Sequence, residues 1–390
     1  MRILLNGAPM LGRLTGVGQY GLRLLEALAR LPRESGVEEI GVFNGRDVVD
    51  LASFLVAVRQ RPNAAARHER LKRIIRSAWP RCRDWADRWR RLRLASQTKT
   101  ANWSVFHETN FVSPQFKLPL VTTVHDMSYL RYPQFLPKDR LAWLRRRMGL
   151  TLSRSRVILT DSHFTRQELL ELCPGVDPSR VVVTHLGVDL DYYSDPAHRT
   201  RVDDVRRRFG LPSQFVLYLG TLEPRKNLQG LIRAYQGLPR DLQHEYPLVL
   251  AGMSGWKERY FRGALDELRA SGVLHEIGYV DEADVPALMK AASLFCFPSL
   301  YEGFGLPPLE AAACGTPVLS SRAASLPEVL GDAAIYVDPH SPAEISAGLV
   351  RLLGDEPLRK SLEAAGKARA ALFPWENCAK QTLAAYRQAA

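Results

Sequence analysis

The sequence predicts an α/β protein with two doubly wound domains, each a parallel sheet covered by helices. Its 390 residues are enough for two domains of about 150–200 residues each. In both halves, short apolar runs alternate with longer segments of helical periodicity, which is the pattern of a parallel sheet flanked by helices. A polar stretch between the halves, residues 192–208, contains few core-forming residues and marks the domain boundary.

The predicted strands are short apolar runs in both halves of the chain. In the first half they are residues 2–5, 103–106, 120–124 and 157–160, and in the second half residues 215–219, 248–251, 294–297, 318–320 and 335–337. The boundary between the two domains is placed at residue 195. Two such domains facing each other would bring the carboxyl ends of both sheets to a central cleft, where ligands of open α/β sheets bind.

The basic charge of the chain is concentrated in its first half. Residues 1–200 contain 32 Lys and Arg against 19 Asp and Glu, whereas residues 201–390 contain 21 against 22. Residues 51–100 alone contain 14 basic and 3 acidic side chains. Such a patch predicts an anionic partner, which could be phospholipid head groups, a pyrophosphate or a nucleic acid.

The cysteines and the apolar runs indicate a reduced, non-spanning protein. The five cysteines are odd in number and never spaced as CxxC, so neither a disulfide framework nor a zinc site is predicted. The N-terminal apolar run is too short for a signal peptide, and no run approaches the roughly 18 apolar residues of a spanning helix. We therefore expect a cytoplasmic location.

The segment YEGFGLPPLEAAACG, residues 301–315, combines a glycine-rich loop with the start of a helix. Glu302 lies in the loop and Glu310 inside the helix. A helix N-terminus exposes N–H groups and the positive end of a dipole, so a phosphate could bind there. One carboxylate on either side would accept hydrogen bonds from hydroxyls, which suits a sugar nucleotide. The alternative is a solvated loop glutamate and a glutamate that caps the helix.

The segment FVLYLGTLEPRKNLQGLIRAY, residues 215–235, is predicted as a strand, a loop and a helix. The loop contains Arg225 and Lys226, which supply a planar fork and a point charge for a diphosphate. An isolated RK pair on a solvated surface is the alternative. In the first half, a glycine-rich loop leads into a helix through Gly16 and Gly18, and we interpret it as a phosphate-facing loop. Its spacing does not match a dinucleotide fingerprint.

His125 follows the apolar strand LVTTV and precedes Asp126. A histidine at the carboxyl end of a strand can donate to, or accept from, a reacting group. A capping or core histidine is the alternative. Polar residues also follow the neighbouring predicted strands, at the same edge of the sheet as His125. They could bind an acceptor substrate, and they are His107, Glu108, Asn110, Asp161 and Ser162.

The motifs TGVGQY, VHD, GTLEPRKN, EGFGLPPLE and FPWENCAKQTLAAY occur in this order along almost the whole chain. With them, the sequence resembles the retaining glycosyltransferases of family 4, which have the GT-B fold of two Rossmann-like domains. The E-x7-E spacing with GFGLPP is the most specific element. The resemblance implies sugar transfer from a nucleotide donor with retention of configuration and without a metal. It also implies that residues 1–195, completed by a closing helix at 374–390, bind the acceptor and that residues 196–373 bind the nucleotide sugar.

The resemblance also implies roles for single residues. Glu302 would hold hydroxyls of the donor sugar and His125 would contact the donor near the reaction centre, so these are the predicted catalytic residues. The implied donor-binding set is Gly16, Gly18, Thr221, Arg225, Lys226, Phe304, Gly305, Leu306 and Glu310. Thr221 stands where many relatives have an arginine, so the diphosphate would depend more on Arg225 and Lys226. The predicted acceptor-binding residues are His107, Asn110, Asp126 and Ser162.

Residues 67–94 show apolar residues at helical spacing on both sides of Pro80, with arginines on the other faces. We interpret them as two amphipathic helices that rest on an anionic membrane, although both could instead pack on their own domain. Nucleic-acid binding and a sugar-nucleotide epimerase of the same fold remain alternatives.

The prediction is an enzyme associated peripherally with the inner face of the plasma membrane. It would transfer a hexose, from GDP-mannose or a related GDP-deoxyhexose, to a lipid-linked or surface-glycan acceptor. No other cofactor is expected.

Overall fold

A computed structural model describes residues 1–12, 14–32, 35–60, 80–98, 102–113, 117–253 and 262–390. The chain forms two compact units. The first unit contains Met1–Leu186 and Trp375–Ala390, and the second contains Gly187–Pro374. The structural division therefore lies nine residues before the predicted boundary at 195, because residues 187–195 belong to the second unit.

The first unit contains a seven-stranded sheet with the order β3-β2-β1-β4-β5-β6-β7. Its neighbouring strands are parallel except β2 and β3, which are antiparallel. The strands are β1 (Arg2–Asn6), β2 (Glu39–Phe43), β3 (Val48–Asp50), β4 (Val105–Glu108), β5 (Leu120–Val124), β6 (Ser155–Thr160) and β7 (Val181–Val183). The helices are α1 (Gly16–Ala29), α2 (Leu51–Arg59), α3 (Pro80–Thr98), α4 (Ser128–Arg131), α5 (Lys138–Arg154) and α6 (His163–Leu172).

The second unit contains a six-stranded parallel sheet with the order β10-β9-β8-β11-β12-β13. Its strands are β8 (Val216–Leu219), β9 (Leu248–Ala251), β10 (Leu274–Gly278), β11 (Leu294–Phe297), β12 (Val318–Ser321) and β13 (Ala334–Val337). Its helices are α7 (Leu190–Ser194), α8 (Ala197–Thr200), α9 (Val202–Phe209), α10 (Leu228–Gln236), α11 (Arg240–Glu245), α12 (Arg262–Ala270), α13 (Val285–Ala291), α14 (Leu306–Cys314), α15 (Leu326–Leu330), α16 (Pro342–Gly354) and α17 (Glu356–Ala370).

The polar stretch 192–208, predicted to mark the domain boundary, is mostly helical in the structure. It contains the end of α7, all of α8 and most of α9, and α9 packs on α13. Val205 is buried, and Arg201 and Arg208 both pair with the buried carboxylate of Asp284. Short helices form here with few apolar residues, and ion pairs hold their polar side chains.

The closing helix α18 (Trp375–Ala389) belongs to the first unit and packs on α1, β5 and β6. It buries Cys378, Leu383 and Tyr386 against them. None of the helices in the described residues combines the length and the hydropathy that a membrane span requires.

Each sheet has one point where the chain order reverses, between β1 and β4 in the first unit and between β8 and β11 in the second. The crevice outside the carboxyl ends of the strands at such a point is where open α/β sheets bind ligands. Next to the second of these points, on the other side of β8, the loops after β8 and β9 touch. Gly252 has φ +139°, and a Cβ there would lie 1.9 Å from the carbonyl oxygen of Gly220.

Candidate functional site

A buried ionic cluster lies at the point where β8 and β11 meet in the second unit. Glu302 is 6% exposed and accepts hydrogen bonds from Arg225 Nη1 at 3.0 Å and Lys226 Nζ at 2.6 Å. The hydroxyl of Ser299 donates to the same carboxylate at 2.6 Å. Arg225 also pairs with Glu223 at 3.0 Å. The two cations and the two carboxylates therefore balance, and the loops after β8 and β11 are joined through charge-assisted bonds.

The cluster fixes the charge of Glu302. Burial by itself would raise the pKa of this carboxyl group, but the neighbouring charges of Arg225 and Lys226, with the hydrogen bonds to Lys226 and Ser299, lower it to about 2. Glu302 is consequently a carboxylate at any physiological pH. A carboxylate held in this way is a permanent acceptor for a ligand hydroxyl.

Asn227 positions the loop that contains both cations, and the sequence did not predict its role. Its side chain accepts from the N–H of Gly230, which caps α10, and donates to the carbonyl oxygens of Pro298 and Pro339 at 3.0 and 2.7 Å. Its backbone has φ +57°, a conformation that asparagine tolerates better than most residues. The asparagine in the motif PRKN was the available signal, because Asn is a preferred residue at helix N-caps.

The N-terminus of α14 lies directly after Glu302, as predicted. Gly305 is the N-cap with φ +102°, and a Cβ there would lie 2.6 Å from Leu326 Cδ2. Ser325 donates from its hydroxyl to the carbonyl oxygens of Glu302 and Phe304 at 2.9 and 3.0 Å. Two prolines in the first turn lack N–H groups, so the backbone donors of this end are limited to the residues up to Leu306. The loop is thus fixed in a shape that only glycine permits at position 305.

The sequence also predicts that Glu310 and Thr221 of the second unit bind the nucleotide-sugar donor, and these two residues lie in different surroundings. Glu310 is half-buried on α14 and hydrogen-bonds with Tyr193 of α7. Burial, together with this carboxylate, raises the pKa of Tyr193 well above its usual value, so the phenol stays a donor. Thr221 follows β8, and its carbonyl oxygen accepts from the hydroxyl of Tyr218 at 3.4 Å.

In the first unit, His125 is held by two acceptors. Its Nδ1 lies 2.7 Å from Asp161 Oδ2, and its Nε2 lies 2.9 Å from the carbonyl oxygen of Thr109. Burial lowers the pKa of His125, but the Asp161 carboxylate and the Thr109 carbonyl outweigh it, and the net shift is upward. Both ring nitrogens are occupied within the protein, so this geometry does not support the predicted contact between the ring and the donor.

His107 has a structural position, which corrects its prediction as an acceptor-binding residue. Its ring is fully buried and lies 2.7 Å from the hydroxyl of Tyr386 at Nδ1 and 2.7 Å from the hydroxyl of Thr123 at Nε2. Thr123 is also hydrogen-bonded to Tyr20 at 2.9 Å. Burial, with a contribution from charged His125, lowers the pKa of His107 to about 3, so its ring is neutral. The chain of hydrogen bonds connects α18 to α1 through the sheet.

The remaining predicted acceptor residues divide between structural and exposed positions. Ser162 is buried and caps α6 by accepting from the N–H of Thr165 at 3.0 Å, so its prediction as an acceptor contact is also wrong. Asp126 is half-buried and accepts from the N–H of Ser128 at 2.9 Å. Asn110 is exposed directly after β4 and remains available to a ligand.

Gly16 and Gly18 lie in the first turn of α1, beyond the loop in which they were predicted. A Cβ on Gly18 would approach the carbonyl oxygen of Pro9 to 3.1 Å, so Gly18 permits close packing. A Cβ on exposed Gly16 would have no neighbour within 4 Å. The absence of a side chain at position 16 is therefore not required by the fold.

The predicted membrane helices are described only in part, because residues 67–79 lie outside the described residues. Within the described residues, the second predicted helix corresponds to α3, Pro80–Thr98. Leu94 is fully buried in the first unit, whereas Trp89 and Leu92 are 39% and 58% exposed. Arg93 pairs with Asp47 at 3.0 Å. The end of α3 therefore packs on its own unit, while two large apolar side chains point into solvent.

Comparison with known proteins identifies two matching families and a relative that matches over the full length. Residues 14–192 match the family described as Glycosyltransferase Family 4, and residues 203–369 match the family described as Glycosyl transferases group 1. The O-antigen chain mannosyltransferase B of Escherichia coli is 37% identical over 99% of this chain and 100% of its own length.

Two solved structures resemble the whole chain at low sequence identity. Sucrose-phosphate synthase from Thermosynechococcus elongatus has a TM-score of 0.74 at 21% identity and covers 99% of this chain and 98% of its own. HepE from Anabaena, in complex with UDP and glucose, has a TM-score of 0.70 at 17% identity and covers 98% of both chains. These structures share the fold of the chain.

The Glu302 cluster predicts a specific dependence of stability on pH. The pKa of Glu302 is depressed from 4.5 to about 2, so its stabilising effect is present above about pH 5 and is lost as the pH falls toward 2. A pKa lowered from 4.5 to about 2 corresponds to about 3 kcal/mol of stability at neutral pH. Glu302→Gln should lower the urea midpoint of the protein at pH 7, and the difference from wild type should shrink between pH 5 and 2.5. A constant difference over this range would contradict the ionic role of Glu302.

Proposed function

The chain belongs to glycosyltransferase family 4 and has the GT-B fold, and from this premise we propose that it transfers mannose from GDP-mannose to a growing glycan with retention of configuration. As a member of this family it is a glycosyltransferase that uses a nucleotide sugar. Mannose is proposed because the relative that matches over the full length is a mannosyltransferase. Family membership does not favour the epimerase or the nucleic-acid-binding alternative.

The observation that carries the proposal is the buried carboxylate of Glu302 between Arg225 and Lys226, at the switch point of the second sheet. We infer that Glu302 accepts hydrogen bonds from hydroxyls of the donor sugar. Besides Glu302, the guanidinium group of Arg225 bonds the carbonyl oxygen of Tyr301 and the carboxylate of Glu223, and the ammonium group of Lys226 carries three N–H donors, of which one bonds Glu302. These groups would bind the diphosphate, together with the backbone donors of residues 304–306, and Glu310 would accept from the ribose hydroxyls.

The proposed transfer occurs on one face of the donor sugar. The acceptor hydroxyl oxygen forms a bond to the anomeric carbon on the side from which the diphosphate leaves. The bond between that carbon and the phosphate oxygen breaks, and the acceptor proton moves to an oxygen of the departing diphosphate. Arg225 and Lys226 stabilise the negative charge that grows on the diphosphate, and they are held in place before the reaction by Glu302.

We expect GDP-mannose to stabilise the protein in a thermal-shift screen more than UDP-glucose or dTDP-rhamnose does. A stronger shift with a UDP-sugar would contradict the GDP assignment.

Lys226→Ala should lower kcat/KM with GDP-mannose by about 100-fold or more, because it removes a charge that acts in the transition state. Lys360→Ala is the matched control, since Lys360 is 70% exposed and pairs only with Glu356 among the ion pairs described. Full activity of Lys226→Ala would contradict the proposed binding of the diphosphate by Lys226.

We also propose that α3 contacts an anionic membrane surface. Exposed Trp89 and Leu92 are bordered by exposed Arg88 and Arg90, an arrangement typical of helices that lie at the boundary of lipid head groups. Such a contact would bring the enzyme to a lipid-linked acceptor.

The double variant Trp89→Ser and Leu92→Ser should weaken binding to phosphatidylglycerol vesicles at least about 10-fold, because two apolar side chains no longer leave water. Leu372→Ser is the control, since Leu372 is 61% exposed on the second unit. Co-sedimentation with phosphatidylglycerol and with phosphatidylcholine vesicles measures the effect. Unchanged binding of the double variant would exclude α3 as the contact.

A further inference from the structure

A groove on the surface of the second unit lies between α10 and α16, and we call it the α10–α16 groove. Its volume is about 630 Å³. Arg233, Ala234 and Gly237, at the end of α10, line one side, and residues of α16 that include Ala347 and Arg351 line the other. Arg233 lies about 9 Å along the helix axis from the N-cap of α10. The groove is therefore separate from the loop that contains the donor-site cations.

The two helices give the groove a rigid base. Both pack on the core of the second unit, in which Leu231 of α10 and Leu349 of α16 are fully buried. Their first turns are also joined, because Asn227, which caps α10, donates to the carbonyl oxygen of Pro339 at 2.7 Å, and Ser341 then caps α16. A partner that binds here meets a surface that is already ordered, which lowers the entropic cost of association.

The shape of the groove suits an elongated partner better than a small molecule. Six of its described lining residues are exposed, and Ala234 alone is buried. Small-molecule sites usually bury at least about 70% of the surface of their ligand, which a groove with so exposed a lining does not do. An amphipathic helix that lays its apolar face into an open groove is a recurring mode of protein recognition.

Apart from Ser346 and two arginines, the lining is apolar and consists mostly of small residues. Ala343 and Ala347 are exposed one turn apart on α16, and Gly237 lies on the opposite side. Small residues allow the axes of packed helices to approach closely. Val350 is 40% exposed and would gain from leaving water. The lining therefore fits the apolar face of a third helix.

The charge of the groove is positive. Its charged lining residues, among those that the structure describes, are Arg233 and Arg351. Both side chains are exposed, and neither guanidinium group has a hydrogen bond or ion pair with another described residue. Residues 201–390 are nearly balanced in charge, so the two arginines are a local feature and not part of a generally basic surface. A complementary partner is acidic.

We propose that the α10–α16 groove is the docking site for an acidic amphipathic helix of a partner protein. The apolar face of that helix packs on Ala347 and Val350, and carboxylates beside that face pair with Arg233 and Arg351. This inference goes beyond the proposed function, because it involves neither the sugar donor nor the acceptor.

The first experiment is a selection from a display library of helical peptides that are randomised on one face. Full-length wild-type protein is the target, and Ala347→Gln, whose longer side chain fills the groove, is used for counter-selection. The selected peptides should carry Asp or Glu beside an apolar stripe and bind Ala347→Gln at least about 10-fold more weakly than wild type. Ala364→Gln is the control, since Ala364 is an exposed alanine of α17. Failure to obtain such peptides, or selection of peptides without carboxylates, would overturn the proposal.

The second experiment exchanges the charges across the contact. The double variant Arg233→Glu and Arg351→Glu should bind a selected peptide at least about 10-fold more weakly. It should bind the same peptide with Lys in place of its acidic residues at least about 10-fold more tightly than wild type does, because only direct pairing gives this exchange. The control is Arg207→Glu with Lys360→Glu, which changes the net charge equally at side chains that are 77% and 70% exposed. Loss of the acidic peptide without gain of the basic one, at an unchanged thermal midpoint, would disprove the pairing.

Two further measurements distinguish a helix from other occupants. Sedimentation velocity compares the oligomeric state of wild type with that of Ala347→Gln, and native mass spectrometry compares their binding of phosphatidylglycerol. A dimer that Ala347→Gln dissociates would assign the groove to a second copy of the chain, and lipid binding that Ala347→Gln abolishes would assign it to a lipid. Either result would overturn the proposal, whereas equal behaviour of the two proteins in both measurements supports it.

Discussion

The candidate donor site depends on one ionic interaction, the pairing of buried Glu302 with Arg225 and Lys226. A single charge in this position would be strongly destabilising, since burial removes its hydration. The opposite charges in the cluster compensate one another, and Glu223 balances the second cation. The two loops therefore fold into one position or leave buried charge unpaired. In the proposed function, a donor sugar would meet a carboxylate and two cations that are already oriented, so little reorganisation would be left to the reaction.

The central strands could be predicted from the sequence and several outer strands could not, for a physical reason. Strands in the middle of a parallel sheet are buried on both faces and form continuous apolar runs, as LVTTV and LFCF do. Three of the missed strands, β3, β7 and β10, are at sheet edges. The first two have three residues each, and β10 has two adjacent polar residues, His275 and Glu276, between its apolar ones. The fourth, β2, begins with exposed Glu39 and half-buried Ile40.

The residues of the candidate site could likewise be predicted from the sequence only in part. The sequence identified Glu302, Arg225 and Lys226 by their motifs, because a glutamate in a glycine-rich loop and a cation pair after a strand are local patterns. It could not predict that the three side chains pair with one another, since 76 residues separate Lys226 from Glu302. Nor could it separate Asn110, which is exposed, from His107, which is buried three residues earlier. Both residues are polar and follow the predicted strand 103–106, and only burial tells them apart.

The two histidines of the first unit show how partners decide a role that residue type leaves open. His107 faces two hydroxyls, each of which can donate or accept, so a neutral ring satisfies both bonds. His125 faces a carboxylate and a carbonyl oxygen, which only accept, so its ring needs a proton at each nitrogen. The charge near His125 in turn opposes a second charge on His107. The neutral ring of His107 bonds Tyr386, so α18, the helix that closes the first unit, is tied to the sheet without a buried charge at that contact.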